Sequence, residues 1–393
     1  MAIRLSDRVG RIKPSATLAI SQRAQNLKTQ GKDIVDMGTG EPDFDTPSHI
    51  KEAAIQAMRD GKTKYTAVDG ISSLKEAILM KFANFNGLNF SADQVMVSSG
   101  GKQCIYNLFQ STLNSGDEVI IPIPYWVSYP DIAILAQATP VFIETTMQTR
   151  FKLTPAQLDN AITSKTKLLI LNSPSNPTGI AYTENELKLL GEVLLKHPNV
   201  FVATDDMYEH ILWTEKGFCN ILNTTPELYD RVVVLNGVSK AYAMTGWRIG
   251  YCAGPSHVIK AMKNLQSQST SNPCSIAQAA AEAAIRGPLD LVAMMVKSFK
   301  ERHDYLVSAL NNISGIKCAS ADGTFYVFPN VQQAIEKIGI ASDTEFADHL
   351  LSTVGLAVVP GSAFGAPGHL RLSVATSMDT LEKAVDRLNK ALM

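Results

Sequence analysis

The chain has 393 residues, of which 45% are hydrophobic and 19% are charged, and its formal net charge at pH 7 is -1. This composition is typical of a globular protein, and the length is sufficient for two domains. The nearly balanced charge argues against nucleic acid or an anionic membrane as a partner. Because the N-terminus lacks the apolar core of a signal peptide and no apolar run reaches transmembrane length, we expect a cytoplasmic protein.

Residues 1–45 are predicted to form an arm that contains a helix over residues 18–29 and a tight loop at residues 38–44. Gly40 in this loop would let a ligand approach the backbone. Thr46 and Pro47 are predicted to begin the next helix, as its N-cap and its first-turn proline. The five cysteines and seven histidines show no metal-ligand spacing, so no metal site is predicted.

From about residue 93 the sequence changes to short β-branched apolar runs separated by helical segments. They lack polar alternation, as expected for strands that are covered on both faces. This order predicts an α/β fold with a mostly parallel seven-stranded sheet flanked by helices, and ligands at the C-terminal ends of its strands. The predicted strands are residues 95–97, 118–123, 140–143, 168–171, 200–203, 231–235 and 248–252.

Residues 289–314 contain neither glycine nor proline, which predicts a long helix that leaves the sheet. Strands are predicted beyond it at residues 324–328, 357–359 and 370–374, followed by an amphipathic closing helix. We interpret this part as a smaller α+β domain that the arm completes. The predicted organisation is therefore an arm (1–45), a large domain (46–288) and a small C-terminal domain (289–393).

One lysine, Lys240, lies among small and apolar residues soon after the predicted strand 231–235. Removal from water lowers the pKa of an amine, so a lysine in this place could act as a nucleophile near neutral pH. For an isolated lysine, a side chain that reaches back to water from a strand-to-helix turn is the simpler interpretation. The residues at the ends of the other predicted strands distinguish a nucleophilic lysine from a solvated one.

Candidate binding groups follow several of the predicted strands. Gly100 and Gly101 lie between a strand and a helix, where backbone N–H groups can bind an anion, although a turn without a ligand looks the same. Trp126 could stack on a flat cofactor or belong to the core. Asn176, between two prolines, could present its amide to a ligand or simply form a turn.

Charged groups complete this set. Asp205 and Asp206 end a strand, where either could pair with a cationic ring nitrogen or cap a helix. Arg371 alternates with apolar neighbours, and its guanidinium suits a carboxylate, although an exposed strand arginine is equally compatible. Taken together, an amine, an anion-binding loop, a stacking ring, an acid and a carboxylate-binding arginine are what pyridoxal phosphate chemistry on an amino acid requires.

On these residues the chain resembles the class I pyridoxal-phosphate aminotransferases of fold type I over essentially its whole length. Residues 237–250 fit the lysine-attachment pattern of that family, and N-P-T-G (176–179), D-x-x-Y (205–208) and H-L-R-L-S (369–373) agree in order and spacing. The motifs K-P-S-A-T, G-E-P-D-F-D-T-P, G-G-K-Q, P-Y-W-V-S-Y-P and A-M-T-G-W-R-I-G look like the bacterial aspartate aminotransferases of the branch that includes prephenate-using enzymes.

The resemblance implies roles around pyridoxal 5'-phosphate. Lys240 would hold the cofactor through an imine and then move a proton on the substrate. Asp205, selected over its neighbour by its spacing from Tyr208, would keep the ring nitrogen protonated. Tyr208 and Asn176 would donate to the phenolate oxygen, and Trp126 would stack on the ring.

The resemblance also implies a homodimer with shared active sites. The residues assigned to the phosphate are Gly100, Gly101, Ser239 and Arg248, with Tyr65 from the neighbouring subunit.

The substrate side of the site follows from the same resemblance. Arg371, Gly40, Trp126 and Asn176 would bind the α-carboxylate side of an amino acid or a 2-oxo acid. Lys102, in the cofactor-binding loop, would bind the second carboxylate of a dicarboxylate, and Lys13 resembles a lysine associated with prephenate; both could equally be solvated.

The predicted activity is ping-pong transamination from L-aspartate to 2-oxoglutarate. The alternatives are prephenate, aromatic, alanine or kynurenine transamination, or a non-enzymatic sensor domain.

Overall fold

A seven-stranded sheet forms the centre of this computed structural model, which describes residues 3–393. This sheet contains β2 to β8, and the remaining strands form two smaller sheets. In chain order the strands of the described residues are β1 (Val35–Asp36), β2 (Val95–Ser98), β3 (Glu118–Ile123), β4 (Thr139–Glu144), β5 (Thr166–Asn172), β6 (Phe201–Asp205), β7 (Val232–Gly237), β8 (Gly250–Ala253), β9 (Tyr326–Val327), β10 (Leu356–Ala357), β11 (Val359–Pro360) and β12 (Leu370–Ser373).

Helices cover the sheet and connect most of its strands. They are α1 (Ala16–Thr29), α2 (Ser48–Arg59), α3 (Ser72–Lys81), α4 (Gly101–Thr112), α5 (Ser128–Leu135), α6 (Pro155–Ala161), α7 (Glu184–Lys196), α8 (Ile221–Thr224), α9 (Ser256–Ser267), α10 (Ser275–Arg286), α11 (Asp290–Asn311), α12 (Gln332–Lys337), α13 (Asp343–Thr353) and α14 (Met378–Ala391). None of the helices within residues 3–393 has both the length and the apolarity that crossing a bilayer requires.

The central sheet has the strand order β2-β8-β7-β6-β5-β3-β4. Strands β3 to β7 run parallel, and β8 is antiparallel to both of its neighbours. The prediction of a mostly parallel seven-stranded sheet in an α/β fold is thereby confirmed. At the carboxyl edge Asn172 pairs with Asp205, and Asp205 pairs with Leu235, so the ends of β5, β6 and β7 are neighbours.

Outside the central sheet, the arm and the C-terminal part share strands. Strand β1, from the arm, pairs in parallel with β10, and a second sheet has the order β11-β12-β9. The single strand predicted at residues 357–359 is therefore wrong, because the chain changes sheets at Val358. The pairing of β1 agrees with an arm that completes a small domain, although the domain boundaries themselves stay a prediction.

Thr46 does not have its predicted role as a helix N-cap. Helix α2 begins at Ser48 without a side-chain cap. The Thr46 hydroxyl instead donates to the carbonyl oxygen of Ala243 at 2.6 Å and lies 3.0 Å from Nε1 of Trp247, which donates to it. Thr46 thus ties the start of α2 to the segment that carries Lys240.

The core strands are buried on both faces, which explains their unbroken apolar sequence. In β5, Leu168, Leu169, Ile170 and Leu171 are all between 0% and 3% exposed, whichever face they point to. Opposite faces of this strand contribute to two different apolar clusters. Stability therefore depends on packing on both sides of the sheet.

We expect Leu169→Ala to lower the free energy of unfolding by about 2–5 kcal/mol, because it leaves a cavity at the centre of the sheet. Leu189→Ala is the matched control, since Leu189 on α7 is 39% exposed. It should change the same quantity by roughly 0.5 kcal/mol or less. Urea unfolding at one fixed protein concentration measures both. Equal losses would contradict the assignment of β5 to the core.

Candidate active site

A cavity of about 750 Å³ lies at the carboxyl edge of the central sheet. The ends of β5, β6 and β7 line one side of it, and α1, β9 and β12 line the other. The predicted site residues in its lining are Gly40, Gly101, Lys102, Trp126, Asn176, Asp205, Tyr208, Ser239, Lys240, Arg248 and Arg371. Residues that are far apart in the sequence thus meet around one volume.

Three predicted residues are not in this lining. Gly100 directly precedes α4 and contacts Arg248. Tyr65 is 93% exposed. Lys13 is also exposed, and its backbone N–H donates to Asp131 at 3.2 Å. Within one subunit, the structure therefore brings neither Tyr65 nor Lys13 to the cavity.

Lys240 lies in the cavity and its Nζ donates to the carbonyl oxygen of Gly40 at 2.6 Å. The pKa of the Lys240 amine is lowered to about 8, mainly by burial and next by the positive charge of Arg371. Glu41 and Asp205 act in the opposite direction. A substantial fraction of the amine is consequently neutral, and so nucleophilic, at mildly alkaline pH.

Asp205 ends β6 and is 7% exposed. Burial raises the pKa of its carboxyl group, and a hydrogen bond from the Tyr129 hydroxyl to Oδ2, at 2.6 Å, opposes that effect. Asp206 is turned to a different environment, where Nδ2 of Asn220 donates to it at 2.7 Å. Asp205 is thus the carboxylate of this pair that lines the cavity.

Arg371, on β12, is 2% exposed and has no acidic partner within residues 3–393. Its Nη1 donates to Oδ1 of Asn176 at 3.1 Å, and its Nη2 donates to the carbonyl oxygen of Gly38 at 2.8 Å. Its Nε is buried and without a hydrogen-bond partner in the part of the chain that the structure describes. A buried guanidinium with spare donor capacity fits a carboxylate ligand.

Two tyrosines from different parts of the chain meet beside this arginine. The hydroxyl groups of Tyr208 and Tyr326 are 3.1 Å apart. Burial raises the pKa of Tyr208 well above its ordinary value, which keeps its hydroxyl protonated. The guanidinium carbon of Arg371 lies 4.3 Å from the centroid of the Tyr326 ring.

The anion-binding loop is built on close backbone packing. Gly100 has a φ of +95°, and a β-carbon there would collide with the Arg248 guanidinium. A β-carbon on Gly250 would collide with the backbone nitrogen of Gly101, the first residue of α4. These glycines place the N-terminus of a twelve-residue helix beside Arg248 and Ser239, an arrangement that fits the phosphate of pyridoxal phosphate.

Lys102 and Trp126 lie next to each other in the lining. Nζ of Lys102 is 5.1 Å from the centroid of a Trp126 ring. Partial burial and the neighbouring charge of Arg248 lower the pKa of Lys102. Lys102 is thus a further basic residue of the cavity lining, in addition to Lys240, Arg248 and Arg371.

The sequence prediction missed lining residues on α1, among them Thr17, Ser21 and Gln22, as well as Tyr326. It also missed Tyr129, which contacts Asp205. Tyr129 stands three residues after Trp126, but Trp126 precedes the start of α5 at Ser128, so helical spacing does not predict the contact between the two rings. No local pattern marks the face of α1 or the partner of Tyr326.

The comparisons with known proteins agree with this geometry. Residues 32–388 match the profile of the family described as Aminotransferase class I and II. The chain is 55% identical to the aspartate/prephenate aminotransferase of Nitrosomonas europaea, over 99% of this chain and 100% of that protein. It is 50% identical to the aspartate aminotransferase of Geobacillus stearothermophilus, over 99% and 98% of the two chains.

Solved structures give the same result. The aspartate aminotransferase from Rhizobium meliloti superposes with a TM-score of 0.95 at 45% identity, over 100% of this chain and 99% of that one. The aspartate aminotransferase of Thermus thermophilus with maleate has a TM-score of 0.94 at 41% identity, over 99% and 100%.

We expect the amine of Lys240, in protein without a bound cofactor, to become reactive with a midpoint near pH 8. Arg371→Gln should move that midpoint upward, because it removes a positive charge that lowers the pKa of Lys240. Competitive labelling with an acylating reagent, followed by peptide mass spectrometry, measures both, with the exposed Lys13 as the internal reference. A midpoint that stays at about 10.4, the value of an unperturbed lysine, would contradict the burial argument.

Proposed function

We propose that this chain, which belongs to the class I and II aminotransferases, transfers the amino group of L-aspartate to 2-oxoglutarate with pyridoxal 5'-phosphate as cofactor. The products would be oxaloacetate and L-glutamate. The observation that carries the proposal is the convergence of Lys240, Asp205 and Arg371 on one cavity. The names of the relatives support aspartate as the amino donor, and the maleate of the Thermus thermophilus structure supports a dicarboxylate ligand.

The residues of the cavity suit the cofactor part by part. Bound pyridoxal phosphate supplies an electron sink for the electrons of the broken bond at the substrate's α-carbon. The amine of Lys240 would hold the cofactor, and Asp205 would bind its ring nitrogen. The remaining contacts would come from Trp126 to the ring face, Tyr208 and Asn176 to the ring oxygen, and Gly100, Gly101, Ser239, Arg248 and Lys102 around the phosphate.

Two cations of the cavity would orient the substrate. Arg371 would bind the α-carboxylate, with Gly40, Trp126 and Asn176 beside it. Lys102 would attract the distal carboxylate of aspartate or 2-oxoglutarate. With the substrate held at both ends, the neutral amine of Lys240 is the available base to remove a proton from the α-carbon.

A second candidate function is transamination of prephenate, which the name of the Nitrosomonas europaea relative favours. The arm residue Lys13 would serve this substrate. Because Lys13 lies outside the cavity lining, such a role requires the arm to move. An assay with prephenate in place of 2-oxoglutarate, on wild type and Lys13→Gln, decides between the candidates.

We also propose a cytoplasmic homodimer with shared active sites. Tyr65 supports this assembly, because a tyrosine that is 93% exposed in one subunit is a large aromatic surface for a partner to cover. In the dimer Tyr65 would contribute its hydroxyl to the phosphate bound by the other subunit.

Single amino acids added to the purified protein test the reaction directly. We expect aspartate to convert the absorbance of the bound cofactor to that of its aminated form faster than alanine does. Lys240→Ala should lower the rate of this half-reaction by about 10²–10⁴ or more, because it removes the base. Rapid-mixing absorbance measurements report both rates. Conversion by Lys240→Ala at the wild-type rate, or alanine faster than aspartate, would contradict the proposal.

Lys102→Gln tests the choice of a dicarboxylate. Since a hydrogen bond to a charged group contributes roughly 1.5–3 kcal/mol, KM for aspartate and for 2-oxoglutarate should rise about ten- to a hundredfold. KM for alanine, which has no distal carboxylate, should change little and serves as the control substrate. A loss of equal size for aspartate and alanine would assign Lys102 to the cofactor alone and would contradict its role in binding the distal carboxylate.

A further inference from the structure

Tyr129 connects a helix to the carboxylate at the end of β6. Its hydroxyl group donates to Oδ2 of Asp205 at 2.6 Å, and its side chain is 2% exposed. An O–H···O bond of 2.5–2.7 Å to a carboxylate belongs to the short, charge-assisted class. Because the Tyr129 side chain is almost completely buried, the Tyr129 end of this contact is shielded from solvent.

The direction of this bond is fixed by burial. Burial and the nearby charge of Asp205 raise the pKa of Tyr129 well above its ordinary value, so the phenol keeps its proton and acts as the donor. Oδ2 of Asp205 therefore accepts the hydrogen bond from Tyr129. The other oxygen, Oδ1, is contacted by the backbone N–H of Met207 at the long distance of 3.4 Å, which leaves it able to accept a bond from a cation in the cavity.

The same tyrosine also contacts the ring assigned to stacking. The rings of Trp126 and Tyr129 meet edge to face, with centroids 5.3 Å apart and planes at 77°. Tyr129 is the second residue of α5, which begins at Ser128, and Trp126 lies two residues before that helix. One side chain thereby sets the position of two groups that would touch the cofactor.

We propose that Tyr129 is a positioning residue that turns Oδ1 of Asp205 towards the cavity and keeps the carboxylate charged. This inference rests on the proposed function, in which Asp205 binds a protonated ring nitrogen. A neutral carboxyl group would not stabilise that positive charge, so loss of the Tyr129 hydroxyl should weaken cofactor binding without removing any group that touches the cofactor.

The surroundings of Asp205 decide how much Tyr129 matters. Burial raises the pKa of Asp205, and three contacts lower it: the Tyr129 hydroxyl first, then the Met207 N–H, then the charge of Lys240. The other titratable groups that interact with it are Tyr208 and Asp206. Of these three contacts, the Tyr129 hydroxyl lowers the pKa of Asp205 most, so it is the protein's own main support of the charged carboxylate.

Tyr129→Phe, compared with Tyr182→Phe, tests the proposal. The Tyr182 hydroxyl accepts a hydrogen bond from the backbone N–H of Leu153 at 2.8 Å and is not in the cavity lining, so this control also removes one enclosed hydroxyl. We expect the dissociation constant of pyridoxal phosphate to rise roughly ten- to a hundredfold in Tyr129→Phe and to stay near wild type in Tyr182→Phe. Equilibrium dialysis of the full chain measures it.

The pH dependence of the same constant separates positioning from packing. Affinity that needs ionised Asp205 is present above the pKa of that group and is lost as the pH falls through it. Since removal of the Tyr129 hydroxyl raises this pKa, affinity should fall off at a higher pH in Tyr129→Phe than in wild type. The same pH profile in the two proteins would overturn the proposal.

An Asp205→Asn background completes the test. If Tyr129 acts through Asp205, adding Tyr129→Phe to Asp205→Asn should cause no further loss of affinity, whereas a general packing defect would add its loss in both backgrounds. Additive losses would therefore overturn the inference, even if Tyr129→Phe is less stable. If the wild-type protein binds no pyridoxal phosphate, the proposed function is refuted. If the wild type binds it and Tyr129→Phe binds it equally well, only the inference about Tyr129 is refuted.

Discussion

The site depends on charges that are held out of water without being neutralised by one another. Arg371 is buried against the amide oxygen of Asn176 and the carbonyl oxygen of Gly38, both of which are neutral acceptors. Lys240 likewise donates to a carbonyl oxygen, that of Gly40. Burying a charge against neutral dipoles stabilises it less than an ion pair would. The positive charge of Arg371 is therefore available to an anionic substrate.

The parallel sheet makes this convergence possible. Strands that run in the same direction end at one edge, and their register places Asn172, Asp205 and Leu235 side by side. Tyr326 on β9 and Arg371 on β12 also line the cavity, so the cavity is built from distant parts of the chain. Thr46 fixes the Lys240 segment from outside, through its bonds to Ala243 and Trp247. Few of these contacts are local in sequence.

That separation explains how far the sequence could predict the structure. The buried strands were predictable, because complete burial leaves an unbroken apolar run such as residues 168–171. The positions of Lys240 and Asp205 in the cavity lining were predictable from motif spacing. The contact between Tyr208 and Tyr326 spans 118 residues, and nothing near either residue indicates it. The exchange of sheets at Val358 was missed for the same reason, since both strands are equally apolar and only their partners differ.

The contrast between two neighbouring acids shows why Asp205 is the one left for a ligand. Glu209 is equally buried but has its own cation, since it forms an ion pair with Lys81 and accepts hydrogen bonds from Asn86 and Asn236 at 2.8 Å each. Although burial raises it, the pKa of Glu209 is held below its ordinary value by Lys81. Asp205 has a neutral phenol in the corresponding place. A positively charged ring nitrogen would therefore supply to Asp205 what Lys81 already supplies to Glu209.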